Sequence, residues 1–410
     1  MSSHHAFSEE FVLKGHIIDS LILPKVFDAV MNLGGNFDIT EIRVGRSKTD
    51  PSFARLKVFA DDQAQMEQII VALQGHGAQL VDGSDVRVEP APADGALPED
   101  FYSTTNLPTQ VRLNGNWVDV TGTEMDLCII LDSQRKNPRS IPMAEVRRGD
   151  LVVVGHEGIR VIPLEREREQ EVFSFMRSAV SPEHPNVLAI SRIAETMQET
   201  RKAGGRILFV VGPAIIHSGA GPYLERLIQA GYVQVLFGGN AIAVHDVESQ
   251  LFGTSLGINL ESGLPVPGGH SHHMRAINAI RRVGSLKAAI ERGVLQGGVM
   301  YQAIRHGVEI VLAGSIRDDG PMPGVITDTA EAQRCMRAAL KGVGMAIMVA
   351  TMLHSIATGN LLPAHVKVVV VDINPAVVTK LADRGSWQAV GLVTDAELFL
   401  RELVETLEKK

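Results

Sequence analysis

The sequence predicts a mixed α/β protein whose C-terminal half is a doubly wound parallel sheet. Its N-terminal half is predicted to hold a ferredoxin-like α+β unit followed by a β-rich unit. Three observations support this fold class: strands and helices alternate from about residue 186 onward, a βαββαβ order occupies residues 11–90, and short strands with hairpin turns fill the region between them. The Pro/Ala/Gly-rich stretch 89–98 marks a boundary. We therefore expect domains at 1–95, 96–185 and 186–410.

In the first unit residues 37–44 alternate as expected for a half-buried strand, and Gly34 and Gly35 end the first predicted helix. Pro24 lies near the start of the first helix, and Asp61 and Asp62 cap the second. Ferredoxin-like modules serve binding or dimerisation more often than catalysis. The predicted strands are 11–18, 37–44, 54–60, 80–81 and 86–89, and the predicted helices are 21–33 and one that is capped by residues 61–63 and ends at residue 75.

In the second unit Asn114-Gly115 is a strong hairpin signal. The third unit contains buried apolar runs separated by Gly-rich turns, as expected for parallel strands. Its most apolar long segment, 343–358, is shorter than a membrane span and favours a buried helix. The predicted strands of these two units are 109–114, 116–120, 126–131, 150–155, 206–212, 233–237, 308–313, 366–372 and 387–393.

The composition is that of an ordinary globular protein. Of 410 residues, 45% are hydrophobic and 21% are charged, and the net charge of −8 argues against a nucleic-acid or anionic-membrane partner. The two cysteines, Cys128 and Cys335, build no disulfide framework. The first ten residues lack a secretory-signal pattern. We therefore expect a cytoplasmic protein without membrane or nucleic-acid partners.

Two Gly- and Pro-rich segments concentrate titratable side chains. His270, His272 and His273 lie within four positions, and alternation along an extended chain would place His270 and His272 on one face. They could bind a metal, exchange protons or bind substrate. No nearby Cys or carboxylate completes a ligand set, so we expect no metal. The second segment, 313–324, follows a predicted strand and contains Arg317, Asp318 and Asp319.

These three residues suit a substrate with charged groups. Asp318 and Asp319 could bind an ammonium group or take a proton, and Arg317 could bind a carboxylate. The alternative is a simple turn, since Asp-Gly-Pro is common in turns. Because chemistry in parallel sheets gathers at the carboxyl edge, we expect the segments 270–273 and 317–319 to face one pocket.

Asp372 ends an apolar strand. An acid at that position can bind the ribose hydroxyls of NAD and repel the extra phosphate of NADP; alternatively, it caps the next helix. The usual G-x-G-x-x-G is absent, and the Gly-rich segment 217–222 lacks its third glycine. The clusters 238–241 and 394–395 could approach a dinucleotide closely or cap helices. Any NAD site must therefore be atypical.

Three long motifs together resemble the archaeal-type ornithine cyclodeaminases, a family that carries the conserved region of the bifunctional LOR/SDH enzymes. They are LFGGNAIAVHD at 236–246, GGHSHHMRAIN at 268–278 and LAGSIRDDGP at 312–321. The resemblance covers nearly the whole chain. It implies bound NAD in a C-terminal domain of deoxyhypusine-synthase-like fold. By motif match, the implied cofactor contacts are Asn240, Ala241, Asp319, Thr351, Met352, Leu353, His354, Asp372 and Asp395.

The resemblance implies that L-ornithine is converted to L-proline and ammonia through a hydride that NAD takes up and returns. Asp318, Asp319, His270 or His272 would supply the general base, and Arg317 or Arg275 would hold the α-carboxylate. Two other functions fit the same residues: a lysine- or saccharopine-type NAD-linked amino-acid dehydrogenase, and a non-catalytic regulator that binds NAD or amino acids. We also expect a homo-oligomer.

Overall fold

A computed structural model describes residues 7–18, 20–46, 50–81, 84–132, 134, 136–162, 186–318, 320–384 and 389–409. Residue contacts divide the chain into two units, 1–172 and 173–410. The predicted boundary at residue 95 lies inside the first unit, and the division into three domains stays a prediction.

The first unit begins with a four-stranded antiparallel sheet of order β2-β3-β1-β4, the ferredoxin-like order that the sequence predicts. Alternate residues of β3 are buried against the two helices on one face. The side chain of Asp62 accepts a hydrogen bond from the Gln65 amide at 2.8 Å and so caps α2. The elements are β1 (Phe7–Gly15), α1 (Ile22–Asn32), β2 (Asn36–Arg43), β3 (Ser52–Ala60), α2 (Gln63–Gly75) and β4 (Gln79–Leu80).

The rest of the first unit is β-rich, as predicted. Two antiparallel sheets, of order β5-β10-β8-β9 and β11-β6-β7, enclose a core that includes Val111, Ile129 and Val153. A 3-10 turn spans Met143–Glu145. The strands are β5 (Arg87–Pro90), β6 (Thr109–Leu113), β7 (Asn116–Asp119), β8 (Cys128–Leu131), β9 (Pro138–Ile141), β10 (Leu151–Val154) and β11 (Ile159–Val161).

One strand was assigned to the wrong sheet. The sequence placed 86–89 in the ferredoxin-like unit, whereas β5 pairs with β10 of the β-rich part. Local residue pattern shows that a segment is extended but does not show which strand will pair with it.

The second unit is built on a seven-stranded parallel sheet of order β17-β16-β13-β12-β18-β19-β20. The small antiparallel pair β14-β15 lies apart from it. The strands are β12 (Arg206–Val211), β13 (Val235–Gly239), β14 (Thr254–Ser255), β15 (Ile258–Asn259), β16 (Glu309–Ala313), β17 (Val325–Ile326), β18 (Val343–Val349), β19 (Lys367–Asp372) and β20 (Ala389–Val393).

Helices cover both faces of this sheet, which confirms the doubly wound prediction. Phe209 faces one core, which is shared with α3, α5, α6, α9 and α13, and Leu208 and Val210 face the other, shared with α10, α11 and α12. The helices are α3 (Asn186–Lys202), α4 (Ala214–His217), α5 (Gly221–Gln229), α6 (Asn240–Phe252), α7 (His272–Val283), α8 (Leu286–Glu291), α9 (Val299–Arg305), α10 (Thr329–Ala339), α11 (Met352–Leu361), α12 (Pro375–Arg384) and α13 (Ala396–Glu408).

The helix predicted over 343–358 is wrong. Its first half is β18, which lies inside the sheet between β12 and β19, and its second half belongs to α11. Ala350 separates them with a φ of 52°. A continuous apolar run has no periodicity that distinguishes a buried strand from a buried helix, so the sequence pattern could not locate this break.

Buried Asp246 holds the start of α9. Its two carboxylate oxygens accept hydrogen bonds from the amides of Val299 and Met300, each at 2.8 Å. Gly298 precedes them with a φ of 94°, and a Cβ added there would lie 2.7 Å from Oδ1 of Asp246. The hydrogen bonds between Asp246 of α6 and the start of α9 therefore need glycine at position 298.

We expect Gly298→Ala to destabilise the protein by roughly 2–4 kcal/mol, since it combines left-handed strain with overpacking. The matched control is Gly284→Ala, because Gly284 has a φ of 96° but open space around its Cβ position. The control should cost only about 1–2 kcal/mol. Urea unfolding of both variants would measure the difference, and equal losses would show that the contact with Asp246 contributes nothing.

Stability should also depend on pH through Asp246. Burial, opposed in part by the two amide donors, raises the pKa of this carboxyl from 3.8 to about 7. The folded protein holds the proton of Asp246 more tightly than the unfolded chain does. The stabilisation that this gives the folded state is therefore complete below about pH 4 and is lost as the pH rises through 7. The free energy of unfolding should fall by about 2–3 kcal/mol from this group between pH 5 and pH 8.

Urea unfolding at pH 5 and pH 8 tests this dependence. Asp246→Asn should flatten it, whereas Glu261→Gln, a change at an exposed carboxylate, should leave it unchanged. An Asp246→Asn protein that keeps the full pH dependence would contradict the assignment.

Candidate functional site

The crevice at the centre of the parallel sheet is the first candidate site. From β12 the chain moves outward through β13, β16 and β17, then returns to β18 on the other side of β12 and continues outward to β19 and β20. In open parallel sheets, ligands bind at the carboxyl ends of the strands where the order reverses in this way. The crevice therefore lies between the ends of β12 and β18.

Glycines allow the strand ends around this crevice to pack closely. A Cβ at Gly212, just after β12, would lie 2.0 Å from the carbonyl oxygen of Ala350. A Cβ at Gly239, at the end of β13, would lie 2.9 Å from Cε1 of His354 on α11. Gly212 therefore lets the end of β12 pack against the residue after β18, and Gly239 lets the end of β13 pack against α11. Side chains at these two positions would force these segments apart.

Two helices begin directly at these strand ends without a side-chain cap. Helix α6 follows Gly239, which has no side chain, and α11 follows Thr351, whose side chain makes no capping hydrogen bond. By contrast, Asp328 caps α10 and Asp395 caps α13. Free amides at a helix N-terminus, together with the helix dipole, favour an anionic group such as a phosphate. The starts of α6 and α11 thus suit the pyrophosphate of a dinucleotide.

His354 joins α11 to the end of β16. Its Nε2 lies 3.4 Å from the carbonyl oxygen of Ala313, so Nε2 would be the protonated nitrogen of the neutral ring. Burial lowers the pKa of His354, and the Ala313 carbonyl and the Asp318 carboxylate oppose this in part. The ring is therefore mainly neutral at pH 7.

The segment after β16 forms a tight turn. Oδ2 of Asp318 accepts a hydrogen bond from the Ser315 amide at 2.8 Å, and the Arg317 amide donates to Oγ of Ser315 at 3.2 Å. The Arg317 side chain is exposed. Further along, the Met322 amide donates to Oδ1 of Asn240 at 3.0 Å, which ties this segment to the start of α6. Asp319 lies outside the described residues.

On the β18 side of the crevice, Asp372 is the last residue of β19 and Asp395 lies two residues after β20. Oδ1 of Asp372 accepts from the Asn374 amide at 2.8 Å, a local turn, and Oδ1 of Asp395 accepts from the Glu397 and Leu398 amides at 2.8 and 3.2 Å. Asp395 is therefore a helix cap, which is one of the two roles that the sequence allowed.

The predicted geometry of the histidine segment is wrong. His270 is exposed in a 3-10 turn, Gly269–Ser271, and His272 and His273 begin α7, so the segment is helical and not extended. Buried His272 stacks on Phe252, with ring centroids 4.7 Å apart. The local Gly-rich composition favoured a loop, but the tertiary packing of His272 fixes a helix start.

Helix α7 meets the turn after β16 through a residue that sequence reasoning missed. Nη2 of Arg281 donates to the carbonyl oxygen of Pro321 at 2.8 Å. Arg281 lies nine residues beyond His272, or roughly 13 Å along the helix. This contact joins α7 to the segment after β16 at Arg281 and not at the histidines. A pocket shared by the histidines and residues 317–319 therefore stays a prediction.

A buried polar network that the sequence did not predict joins α6 to β14 and to the start of α7. The carboxylate of Glu248 accepts hydrogen bonds from Nδ1 of His245 at 2.8 Å, from Oγ1 of Thr254 at 2.9 Å and from the Leu256 and Gly257 amides. Nδ1 of His272 lies 2.9 Å from the same Thr254 hydroxyl. These donors outweigh burial and lower the pKa of Glu248. The i, i+3 spacing of His245 and Glu248 on one helix was the available signal.

His217 extends this network to the surface. Its Nδ1 lies 2.6 Å from Oγ of Ser255, and its ring meets that of His245 edge to face, with centroids 4.8 Å apart. Desolvation and the neighbouring His245 lower the pKa of His217 to about 4, with Glu248 opposing them. In the part of the chain that the structure describes, no three His, Cys, Asp or Glu side chains are arranged to hold a metal ion.

Comparison with known proteins finds relatives along the whole chain. An ornithine cyclodeaminase of Methanopyrus kandleri is 55% identical over 403 residues, 98% of each chain. The structure of ArgZ, a cyanobacterial arginine dihydrolase, matches with a TM-score of 0.86 and 38% identity, over 98% of this chain and 58% of that one. The structure of AgrE with ornithine and NAD+ matches with a TM-score of 0.53 and 41% identity, over 100% of this chain and 58% of that one.

The parallel sheet and its crevice define a Rossmann-type protein, and residues 191–403 match the family model for the C-terminal Rossmann fold of ArgZ-like arginine dihydrolases. Residues 8–107 match the LOR/SDH conserved region, and 108–190 match the first C-terminal region of ArgZ-like proteins. The chain belongs to the archaeal-type ornithine cyclodeaminase family, as its three long motifs predicted.

Proposed function

We propose that this protein is an ornithine cyclodeaminase that converts L-ornithine to L-proline and ammonia with retained NAD. The observation that carries the proposal is the 55% identity, over 98% of both chains, to the Methanopyrus kandleri protein of that name. The complex of AgrE with ornithine and NAD+ supports the choice of substrate and cofactor. AgrE is bifunctional, and this chain spans 58% of the length of the AgrE protein from Nostoc.

The crevice suits NAD. The backbone amides at the starts of α6 and α11, which no described side chain caps, fit the pyrophosphate. Oδ2 of Asp372, for which the described residues show no hydrogen bond, fits the ribose hydroxyls. When bound, NAD would accept a hydride from the substrate α-carbon and later return it. We propose that the cofactor contacts are Asn240, Ala241, Asp319, Thr351, Met352, Leu353, His354, Asp372 and Asp395.

The chain's own residues would bind the substrate and move its protons. Ring closure needs the side-chain amine of ornithine in its neutral form, so a base must take a proton from it. We propose Asp318 or Asp319 for this step, because the segment after β16 borders both His354 and the start of α6. His270 and His272 are the alternatives. Exposed Arg317 is proposed to bind the α-carboxylate.

Incubation of the purified protein with L-ornithine deuterated at the α-carbon tests the proposal. We expect equal amounts of proline and ammonia, with the deuterium retained in proline because the hydride returns to the same molecule. Deuterium in free NADH would identify an amino-acid dehydrogenase instead. Binding of NAD or ornithine without any product would identify a regulator. The assay should be run with and without added NAD.

We also propose that catalysis needs no metal ion, since the proposed hydride and proton transfers need no Lewis acid. Activity should be unchanged after dialysis against a chelator, measured as proline formed per minute. Loss of activity on chelation, with recovery on adding a divalent cation, would contradict this. Zinc added alone to the undialysed protein is the control for inhibition by excess metal.

Two further expectations concern the protein's environment. We propose a cytoplasmic location, because the two cysteines, Cys128 and Cys335, are free thiols. A fractionation that finds the protein outside the cell would contradict this.

Among the described residues, no helix is long and apolar enough to cross a membrane. We propose a homo-oligomer, for which the first unit offers a specific surface.

A further inference from the structure

Strand β2 is an exposed edge with apolar side chains. It lies at one end of the first sheet, and no described strand pairs with its outer side. Ile39, Ile42 and Val44 are 46%, 48% and 61% exposed. An unpaired strand edge offers free backbone amides and carbonyls, which a second strand can bind. Neither the family matches nor the proposed function explains this surface.

A bulge decides which side chains of β2 share a face. Ile39 lies opposite Leu56 of β3, but the register then shifts, and Ile42 lies opposite Ala54. Since Leu56 and Ala54 both point into the helix-covered core, Ile39 and Ile42 lie on the same face. Thr40 is the extra residue. In a regular strand, positions 39 and 42 would point to opposite faces.

The same bulge brings two opposite charges onto the other face. On β3, Lys57 lies opposite Asp38 and Phe53 lies opposite Arg43. Lys57 and Phe53 point away from the helices, so Asp38 and Arg43 lie on that face too. The Arg43 guanidinium stacks on the Phe53 ring at 4.6 Å. Asp38 and Arg43 are both exposed and are five positions apart, roughly 16 Å along the strand. They cannot pair within one chain.

We propose that β2 pairs antiparallel with β2 of a second copy, about a two-fold axis between Thr40 and Glu41. In this register Ile39 lies opposite Ile42 of the second copy, and Asp38 lies opposite Arg43 of the second copy. The two-fold axis repeats each pair, so the strand is self-complementary in both charge and apolarity. Two four-stranded sheets join into one sheet of eight strands.

Other registers fit less well. A shift of one residue sets Ile39 opposite Glu41 or Arg43 and places the opposed side chains on different faces. A shift of two residues in one direction sets Asp38 opposite Glu41, and like charges directly opposite are destabilising. Glu41 itself lies near the axis, and within the chain it pairs with Arg43 at 2.9 Å and with Arg55 at 4.0 Å. In the dimer Arg43 would turn to Asp38 of the second copy, and Arg55 would remain to balance Glu41.

Charged residues and bulges often protect edge strands from pairing. In β2, however, the charges have both signs and match under the two-fold axis, and the bulge is what brings the matched side chains onto common faces. These features therefore favour pairing with an identical strand over pairing with an arbitrary one.

A charge exchange in the full-length protein tests the proposal. Asp38→Arg and Arg43→Asp should each raise the dimer dissociation constant about tenfold or more, since each sets two like-charge pairs across the axis. The double variant should restore it, because each exchanged residue again faces its opposite. Sedimentation velocity over a concentration series measures the constants. Single variants that associate like the wild type, or a double variant that is not restored, would overturn the proposal.

Disulfide trapping reports on the same contact even if other surfaces also hold copies together. The double variant Ile39→Cys with Ile42→Cys should form a disulfide between copies under mild oxidation, because directly opposed residues have Cα atoms about 5 Å apart. Within one chain these positions are roughly 10 Å apart and cannot be bridged. Ile39→Cys alone should form no such bond and is the control.

The wild-type cysteines interfere little, because Cys128 is buried and Cys335 is partly buried. A folded double-cysteine protein that yields no cross-linked dimer would also overturn the proposal. Sedimentation and disulfide trapping both measure dimer formation and not the formation of product. Their outcome is therefore independent of the test of the proposed function.

Discussion

Replacing Asp318 by asparagine is expected to lower turnover about 100-fold or more, the usual contribution of a positioned acid or base. The amide oxygen of asparagine can still accept the hydrogen bond that Oδ2 of Asp318 now accepts from the Ser315 amide. The turn should therefore persist while the proton acceptor is lost. The same result is expected for Asp319→Asn.

The matched control for these variants is Asp328→Asn. Asp328 caps α10 by accepting a hydrogen bond from the Glu331 amide at 2.9 Å, a role that asparagine also fills. Steady-state formation of proline measures turnover, and thermal unfolding verifies the fold. Full activity in both Asp318→Asn and Asp319→Asn would show that the base lies elsewhere. The network of His245 and Glu248 would then be the next site to test.

Asp372→Ala is expected to weaken NAD binding by roughly 1–3 kcal/mol, or about 5- to 150-fold, the scale for losing hydrogen bonds to a charged group. The carboxylate would also repel the ribose phosphate of NADP. Its removal should therefore reduce the preference for NAD over NADP. Calorimetric titration with each nucleotide measures both effects, and the nucleotide released on denaturing the wild-type protein should be mainly NAD.

Asn374→Ala separates a cofactor contact from a structural one. Oδ1 of Asp372 accepts from the Asn374 amide, and Oδ1 of Asn374 accepts from the Ala376 amide at 3.0 Å. Asn374→Ala should weaken this turn yet leave NAD affinity nearly unchanged. If Asp372→Ala behaves in the same way, Asp372 serves only the turn, and recovery of mainly NADP would refute the proposed selectivity.

The strands and helices with clear periodicity could be predicted from local sequence. The cap predicted at residues 61–63 and the end predicted at Gly75 agree with α2, and the alternation in residues 37–44 identified β2. Where local patterns were uniform, prediction failed. The run 343–358 is apolar throughout, so its division into β18 and α11 was not visible in the sequence.

The candidate site was predicted unevenly for a related reason. The residues after β13, β16 and β19 were found because strand ends in parallel sheets carry chemistry, and a strand end can be recognised locally. The partners of these residues could not be found in this way. Arg281 reaches Pro321 across forty residues, and Thr254 joins Glu248 to His272 through packing that no short segment specifies.

By itself the sequence determined the fold class, the ferredoxin-like start, the parallel sheet and, through three long motifs, the family. These depend on periodicity, caps and residue identity, which are properties of short segments. Only the tertiary structure decided that β18 adjoins β12, which creates the crevice, that His272 is buried and His270 exposed, and that a bulge places Ile39 and Ile42 on one face. Strand pairing and burial depend on contacts between residues far apart in the chain, and local preference does not specify them.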